Sequence, residues 1–419
     1  MINTIRLNLQ KVSPEQLFMA SIILVNGGNY IYNLLLGRIL GPSAFAEAAL
    51  LITLLLVLSF VGMTFQLATA KFSVLFSGEQ WERFRNGMYS KASLFGLITG
   101  ALVAVFSKTL QETFHTQNAY MFVLFGLGIP LYFFMSVNRG SFQGKQSFKK
   151  LSLTYQAEMW SRLLITLALL YLVPLHPGTL VAIGILASFF FGLFPSDTKG
   201  LAWKTNQLIN EDQKRVNRFM LLTAGYELTQ IIINNSDVLL VKHFFEAKEA
   251  GLYASLALIG RVVYFAAWMF VMLLLPKVVE RQKEGRPTAP ILFKYVSYIG
   301  VLCMAIVAAC SLFPQLIISL MFGEAYIDMA PLLWQYALAT SLFAISNIFA
   351  YYFLSLDHYI PVILSGILGI SQIGLILWFH ESLQLVVQVQ IMAMIALLAC
   401  QLLYFFIKKD SGTPLLPKS

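Results

Sequence analysis

Four charged residues lie inside long apolar stretches of this sequence, where they could bind an anion or neutralise one another. Glu158 and Arg162 are four residues apart and share one face of a predicted helix, while Glu227 and Arg261 lie in two later stretches. Counting along each helix at about 1.5 Å per residue places both arginines near the middle of a bilayer. A charge there costs about 2.5–3.5 kcal/mol on insertion scales, so each of the four needs a partner or water.

Two interpretations of these charges follow. In the first, Glu158 neutralises Arg162 and Glu227 neutralises Arg261, so that two ion pairs simply hold helices together. In the second, both arginines line a wet cavity and bind an anion, because a planar guanidinium can hold a phosphate through two hydrogen bonds. The two glutamates would then position the arginines or take up a coupling proton. The sequence leaves both interpretations open.

A polar stripe lies on the helix that carries Glu227. Gln230, Asn234 and Asp237 follow it at steps of three, four and three, which places all four side chains on one helix face. The stretch 204 residues earlier has a similar pattern, with the polar residues Asn26, Asn29, Tyr30 and Asn33. Two related halves with a binding site between them are therefore predicted. The amides could bind a hydroxyl-rich cargo or join helices by hydrogen bonds.

Asp237 is a shallower residue, near the outer end of its predicted helix. It could cap the helix end, pair with Lys242 or bind a coupling ion, so coupling to H⁺ or Na⁺ remains open. Patterns typical of enzymes and metal sites, such as HExxH, a closely spaced aspartate pair, a nucleophile elbow or CxxC, do not occur in the sequence. We therefore expect no catalytic residue, no metal and no organic cofactor.

The composition predicts the elements that must position these residues. Apolar residues make up 58% of the 419 residues and charged residues only 12%, against about a quarter in soluble domains. Twelve segments are long and apolar enough to span a hydrocarbon core as helices. They lie near 16–36, 44–70, 88–107, 119–136, 151–173, 178–195, 218–241, 249–276, 291–313, 328–354, 359–379 and 383–407.

The predicted fold class is an all-α polytopic membrane protein with about 12 transmembrane helices, in two pseudo-symmetric six-helix lobes around a central cavity. The N-terminal lobe is expected at 1–200, a polar cytoplasmic linker at 201–217 and the C-terminal lobe at 218–419. Twenty-three of the 29 Lys and Arg residues fall on one side of the predicted spans, so both termini are expected in the cytoplasm. The net charge of +9 is then explained by the excess of Lys and Arg on the cytoplasmic side of the membrane, and no nucleic-acid partner is expected.

Four stretches together resemble the polysaccharide flippases, the Wzx-like, O-antigen type branch of the multidrug/oligosaccharidyl-lipid/polysaccharide (MOP) exporter superfamily. They are Gly37–Ala46, Arg139–Gly144 with the later Glu158 and Arg162, Asn235–Lys242 through Ala250–Tyr253, and Phe322–Tyr326. The similarity extends over the whole chain. It departs from the family pattern at Ala46, where glycine is usual, although the second copy keeps Gly251.

The resemblance implies alternating access without ATP and a polyprenyl-diphosphate-linked oligosaccharide as cargo, moved from the inner to the outer leaflet of a bacterial inner membrane. It implies cavity residues on the first two helices of each lobe, which fits Arg261 and the two polar stripes better than Arg162. A glycan polymerase machinery is an expected partner. The alternatives are a multidrug or small-cation exporter of the same fold, disfavoured by mid-depth arginines, and a membrane glycan polymerase or ligase, disfavoured by the short outer loops.

Overall fold

A computed structural model of the chain describes residues 14–196, 208, 210–356, 358 and 360–410. Thirteen α-helices and one 3₁₀ turn follow one another through these residues, which contain no strand. The helices are α1 (Pro14–Leu75), α2 (Gly78–Val105), α3 (Ser107–Thr113), α4 (Tyr120–Gly144), α5 (Phe148–Leu172), α6 (Pro177–Gly192), α7 (Asn210–Phe244), α8 (Ala247–Lys283), α9 (Ala289–Leu312), α10 (Pro314–Met321), α11 (Ala330–Ser355), α12 (Ile360–Trp378) and α13 (Leu383–Asp410). The 3₁₀ turn is Glu324–Met329.

Every one of the twelve predicted segments is matched by a helix. The first two are joined in α1, which bends at Gly41, where φ is 70° and ψ is 171°. Glycine tolerates this backbone conformation, and Pro42 then starts the second helical part, since proline is suited to the first turn of a helix. Seven helical segments of the described residues are long and apolar enough, by length and composition, to cross a membrane. The chain is therefore a multi-pass membrane protein.

The chain divides into two compact units, which we describe separately. The first comprises 1–36 and 47–228, and the second comprises 37–46 and 229–419. The change from one unit to the other falls at Leu228 and Thr229, inside α7. The predicted linker at 201–217 precedes it, and of this stretch only 208 and 210–217 belong to the described residues. The tip of α1, Gly37–Ala46, is grouped with the second unit although it comes early in the chain.

Within the first unit, α2 packs on α4, and α6 packs on both α4 and α5. The crossing of α2 and α4 is close because Gly100 and Gly126 face each other, and a methyl group at either would overlap the carbonyl oxygen of the other. Small residues at a membrane helix crossing let two backbones approach in this way. Gly140 and Gly144 similarly bring the end of α4 against the backbone of α1 at Gln66 and Ala70.

Within the second unit, α11 is central and packs against α8, α9 and α13. The tip of α1 lies in this unit, where the Tyr326 hydroxyl donates to the Gly37 carbonyl at 2.7 Å and the Phe45 ring lies edge-on to Tyr326 at 6.3 Å. A methyl group at Gly251 would overlap the carbonyl of Pro42. Three of the four stretches that carry the family resemblance thus meet at one place.

Candidate functional site

In the first unit, the carboxylate of Glu158 lies between two arginines. Its Oε2 accepts a hydrogen bond from Nη2 of Arg139 at 2.7 Å, and its Oε1 accepts one from Nη1 of Arg162 at 3.3 Å. All three residues are at most 8% exposed. The predicted pair of Glu158 and Arg162 is present, but Glu158 is shared with a second cation. The three side chains, which we call the Arg–Glu–Arg cluster, therefore carry a net charge of +1.

Arg139 belongs to the site, although the sequence pattern does not predict it there. It lies on α4, which continues to Gly144 instead of ending near 136 as predicted. Its Nε donates to the Thr154 hydroxyl at 3.2 Å, its Nη2 donates to the Thr154 carbonyl at 3.0 Å, and its Cζ lies 3.9 Å from the centre of the Tyr155 ring. The available signal was the four-residue spacing of Gly140 and Gly144, which indicates continued helix packing past the polar residues.

Arg162 connects the cluster to α1. Its Nη2 donates to Oδ1 of Asn29 at 2.6 Å, and its Cζ lies 5.7 Å from the ring centre of Tyr32. The Tyr32 hydroxyl is in turn 3.3 Å from the Thr166 hydroxyl on α5. One member of the predicted polar stripe thus holds one of the two predicted arginines.

The other stripe residues of α1 have different surroundings. Asn33 donates through Nδ2 to the Asn29 carbonyl at 2.8 Å, so this amide is satisfied within its own helix. Asn26 is exposed, whereas the hydroxyl of Tyr30 is buried and has no hydrogen-bond partner among the described residues. The hydrogen bond of Asn33 to the carbonyl four residues earlier satisfies its side chain without needing a partner on another helix.

In the second unit, Asp237 is 2% exposed and is held by two tyrosines. Its Oδ2 accepts hydrogen bonds from the hydroxyls of Tyr253 on α8 at 2.9 Å and Tyr336 on α11 at 2.8 Å. Its Oδ1 is buried without a hydrogen-bond partner among the described residues, and so is Oε1 of Gln372 on α12. Both residues line a cavity with about 40 Å³ of room for water-sized occupants, which Gln390 also lines. Buried acceptors are normally satisfied, so this cavity is suited to a proton, a water or a small cation.

The other predicted residues of α7 are Asn234 and Gln230 in the second unit and Glu227 in the first unit. Asn234 lines the same cavity and donates through Nδ2 to the Gln230 carbonyl at 2.8 Å, as Asn33 does in α1. Gln230 is buried, and its side-chain oxygen has no hydrogen-bond partner in the described part of the chain. Glu227 is half-buried in the first unit. The side chain of Arg261 lies outside the described residues, and with it the predicted pair of Glu227 and Arg261.

The sequence matches the profile of a family described as polysaccharide biosynthesis protein over residues 35–331. A comparison with curated proteins gives no match.

Solved structures with the same fold belong to transporters. An inward-facing multidrug resistance MATE family transporter of the MOP superfamily matches with a TM-score of 0.75 and 12% identity, covering 92% of this chain and 96% of that chain. The lipid II flippase MurJ in an inward closed conformation matches with a TM-score of 0.73 and 14% identity, covering 93% and 87%. A MOP superfamily transporter from Pyrococcus furiosus, described as having reverse polarity of its binding pocket, has a TM-score of 0.55 and 13% identity, covering 93% of each chain. At these identities the likeness establishes the fold.

Proposed function

We propose that this chain, which belongs to the polysaccharide biosynthesis protein family, is a flippase that moves a polyprenyl-diphosphate-linked oligosaccharide across a bacterial inner membrane by alternating access. The transporter fold supports a carrier and not a polymerase or ligase. The cargo would enter from the cytoplasmic leaflet and leave from the outer leaflet, where a glycan polymerase machinery would use it. The protein would bind and release its cargo without chemical change to it.

The observation that carries the proposal is the net charge of the Arg–Glu–Arg cluster. Glu158 can balance only one of its two guanidinium partners, so one positive charge is left over among buried side chains. An unbalanced charge in a low-dielectric surrounding is costly, and an anionic ligand offsets that cost. A diphosphate is a suitable anion because guanidinium groups bind phosphate oxygens in a bidentate manner.

The neighbouring amides fit the other part of such a cargo. Asn29 is already hydrogen-bonded to Arg162, so a ligand that approaches Arg162 also approaches the polar stripe of α1. Asn26, which is exposed, offers both a donor and an acceptor to sugar hydroxyls. We propose that Arg162 contacts the diphosphate while Asn26, Asn29, Tyr30 and Asn33 meet the first sugars, with Gln230, Asn234 and Arg261 serving the second lobe.

Reconstitution into liposomes tests this function. Purified protein would be incorporated with a fluorescent polyprenyl-diphosphate oligosaccharide, and flipping would be followed by quenching from the outside. Wild type should flip the lipid, Arg162→Ala should lose most activity, and Arg162→Lys should be partly active because a lysine keeps the charge but not the bidentate geometry. Arg286→Ala is the matched control, since Arg286 is exposed and pairs with the exposed Glu284 at 3.2 Å.

The outcomes separate the candidate functions. Full flipping by Arg162→Ala, at normal protein levels, would remove the cationic cluster from the mechanism. Efflux of organic cations by wild type without flipping of the glycolipid would identify a drug exporter of the same fold. In a bacterium that lacks the protein, accumulation of lipid-linked glycan on the cytoplasmic side of the membrane is the expected cellular result.

We propose further that Asp237 takes part in energy coupling. Asp237 and Gln372 each have an acceptor without a hydrogen-bond partner among the described residues, and both line a cavity that is too small for a sugar but large enough for a water or Na⁺. Carboxylate and amide oxygens are suitable ligands for a hard cation. Binding of H⁺ or Na⁺ would neutralise Asp237 and change the balance of charge between α7, α8 and α11.

A further inference from the structure

A second, larger cavity lies in the first unit, away from both polar clusters. It offers about 410 Å³ to water-sized occupants, and its walls are α2 and the beginning of α7 together with Leu208. The residues that line it are Arg83, Phe84, Gly87, Met88, Ser90, Lys91, Leu208, Gln213, Val216 and Asn217. Two of these side chains are cationic and none of them is acidic. The cavity is therefore electropositive and partly apolar.

Lys91 is the cation that is available to a ligand. In the described part of the chain it has no hydrogen bond and no ion pair, and it is exposed. Arg83, two helical turns earlier, is bonded to Glu79 through Nε at 3.1 Å and Nη2 at 2.5 Å. Beside Lys91, the Ser90 hydroxyl and the amide of Asn217 supply uncharged donors, since Asn217 uses its oxygen to accept from Gln213 at 2.8 Å.

The level of the cavity in the bilayer follows from the exposed apolar side chains one turn further along α2 and α7. On α2, Leu94 and Phe95 lie one turn beyond Lys91 and are 60% and 45% exposed. On α7, Leu221 and Leu222 lie one turn beyond Asn217 and are 75% and 65% exposed. Large apolar side chains exposed on a membrane protein mark the surface that meets lipid tails. Lys91 and Asn217 thus lie at the level where tails give way to headgroups, which is where lysine side chains are placed by snorkelling.

The two walls are joined by specific contacts, so the cavity is a built feature. Nε2 of Gln80 on α2 donates to Oδ2 of Asp212 on α7 at 2.6 Å. Asp212 is next to the lining residue Gln213, and this hydrogen bond occupies its carboxylate. The ring of Phe219 packs edge-on against Phe72 with centres 6.0 Å apart. These contacts hold the start of α7 against the C-terminal end of α1 and the beginning of α2.

We propose that this cavity binds the phosphate of an anionic phospholipid. Lys91 would pair with the phosphate, and Ser90 and Asn217 would donate to its oxygens. Phe84, Met88 and Val216, which are at most 2% exposed, form the apolar floor of the cavity below the headgroup. A basic pocket between helices at headgroup level attracts anionic headgroups by charge. The excess of Lys and Arg on this side of the predicted spans places the site in the cytoplasmic leaflet. The site is separate from the flippase activity proposed above.

Native mass spectrometry of the full-length protein tests the proposal. Wild type would be released from mixed micelles with phosphatidylglycerol, phosphatidylcholine or a polyprenyl phosphate, and the retained lipid would be counted. We expect phosphatidylglycerol to be retained in preference to phosphatidylcholine. Lys91→Gln should weaken its binding about fivefold, and Lys91→Arg should keep it.

Gly87→Leu tests the cavity without changing any charge. A methyl group at Gly87 meets no atom within 4 Å, and Gly87 lines the cavity, so a leucine side chain would extend into the cavity. We expect loss of the bound phosphatidylglycerol. Lys108→Gln, at another exposed lysine, is the matched control and should bind as wild type does.

Four results would overturn the proposal. They are equal retention of phosphatidylcholine, unchanged phosphatidylglycerol binding in Lys91→Gln, displacement of phosphatidylglycerol by polyprenyl phosphate at equal concentration, and equal competition by inorganic phosphate. The third result would make the cavity part of the cargo route, and the fourth would make it a site for soluble anions. If Gly87→Leu does not fold, the Lys91→Gln measurement still decides.

Discussion

Replacing Glu158 by glutamine removes the only carboxylate of the Arg–Glu–Arg cluster and leaves two buried guanidinium groups without an anion. Glu158 accepts one hydrogen bond from each arginine, and its side chain is only 11% exposed. Removing one partner of a buried ion pair costs about 3–5 kcal/mol, because the remaining charge stays buried and unpaired. For a unit of roughly 150–250 residues this corresponds to a fall in melting temperature of about 10 °C.

Glu79→Gln is the matched control for this experiment. Glu79 also pairs with an arginine four residues away, at 2.5 Å, but its side chain is 73% exposed. An exposed pair contributes about 0.2–1 kcal/mol, so the control should melt within roughly 2 °C of wild type. The assay is thermal unfolding of both purified variants in one detergent, followed by intrinsic tryptophan fluorescence.

A second substitution tests the charge argument itself. Glu158→Gln combined with Arg139→Met returns the cluster to a net charge of +1 and should recover part of the lost stability, since an apolar side chain can replace a buried charge at little cost. If Glu158→Gln melts like Glu79→Gln, or if the double variant is less stable than the single one, the reasoning about an unbalanced buried charge is refuted.

Other substitutions test the second unit. Asp237→Asn keeps an acceptor for the tyrosine hydroxyls but removes the charge, so flipping in liposomes should lose its dependence on an imposed H⁺ or Na⁺ gradient; retained dependence would exclude Asp237 from coupling. Gly251→Ala places a methyl group against the Pro42 carbonyl and should lower stability by about 1–3 kcal/mol. Gly374→Ala, where a methyl group meets nothing within 4 Å, should raise stability by roughly 0.5–1 kcal/mol in the same thermal assay. Tyr326→Phe removes one buried hydrogen bond and should cost about 0.5–1.5 kcal/mol by denaturation, and no measurable change would mean that this bond does not hold the tip of α1.

The long helices could be predicted because each contains a long apolar run, whereas the short helices α3 and α10 and several helix ends could not. The prediction ended α4 near 136 because Asn138 and Arg139 are polar, yet the helix continues to Gly144. Both side chains are buried against protein, where partners replace water, so hydropathy gives the wrong end. The polar start of α7 was also predicted outside the helix, although α7 begins at Asn210. Most of these residues are exposed, and hydropathy does not show that a helix continues beyond its apolar run.

The site could be predicted only where its contacts are local. Glu158 and Arg162 are one helical turn apart, so their pairing follows from the helical repeat. The partners of Asp237 are 16 and 99 residues away, and no periodicity in the sequence connects Tyr253 or Tyr336 with it. Arg139 likewise lies on another helix, 19 residues before Glu158, so no helical repeat connects the two.

The grouping of Gly37–Ala46 with residues 229–419 determines how the protein behaves when it is expressed as two fragments. A C-terminal fragment expressed by itself would lack this ten-residue piece, and the Tyr326 hydroxyl and the backbone at Gly251 would lose the surfaces that they meet at Gly37 and Pro42. Supplying the N-terminal fragment from a separate gene would restore them. Fragments divided in the polar stretch before α7 should therefore purify together, each completing the other without a covalent link.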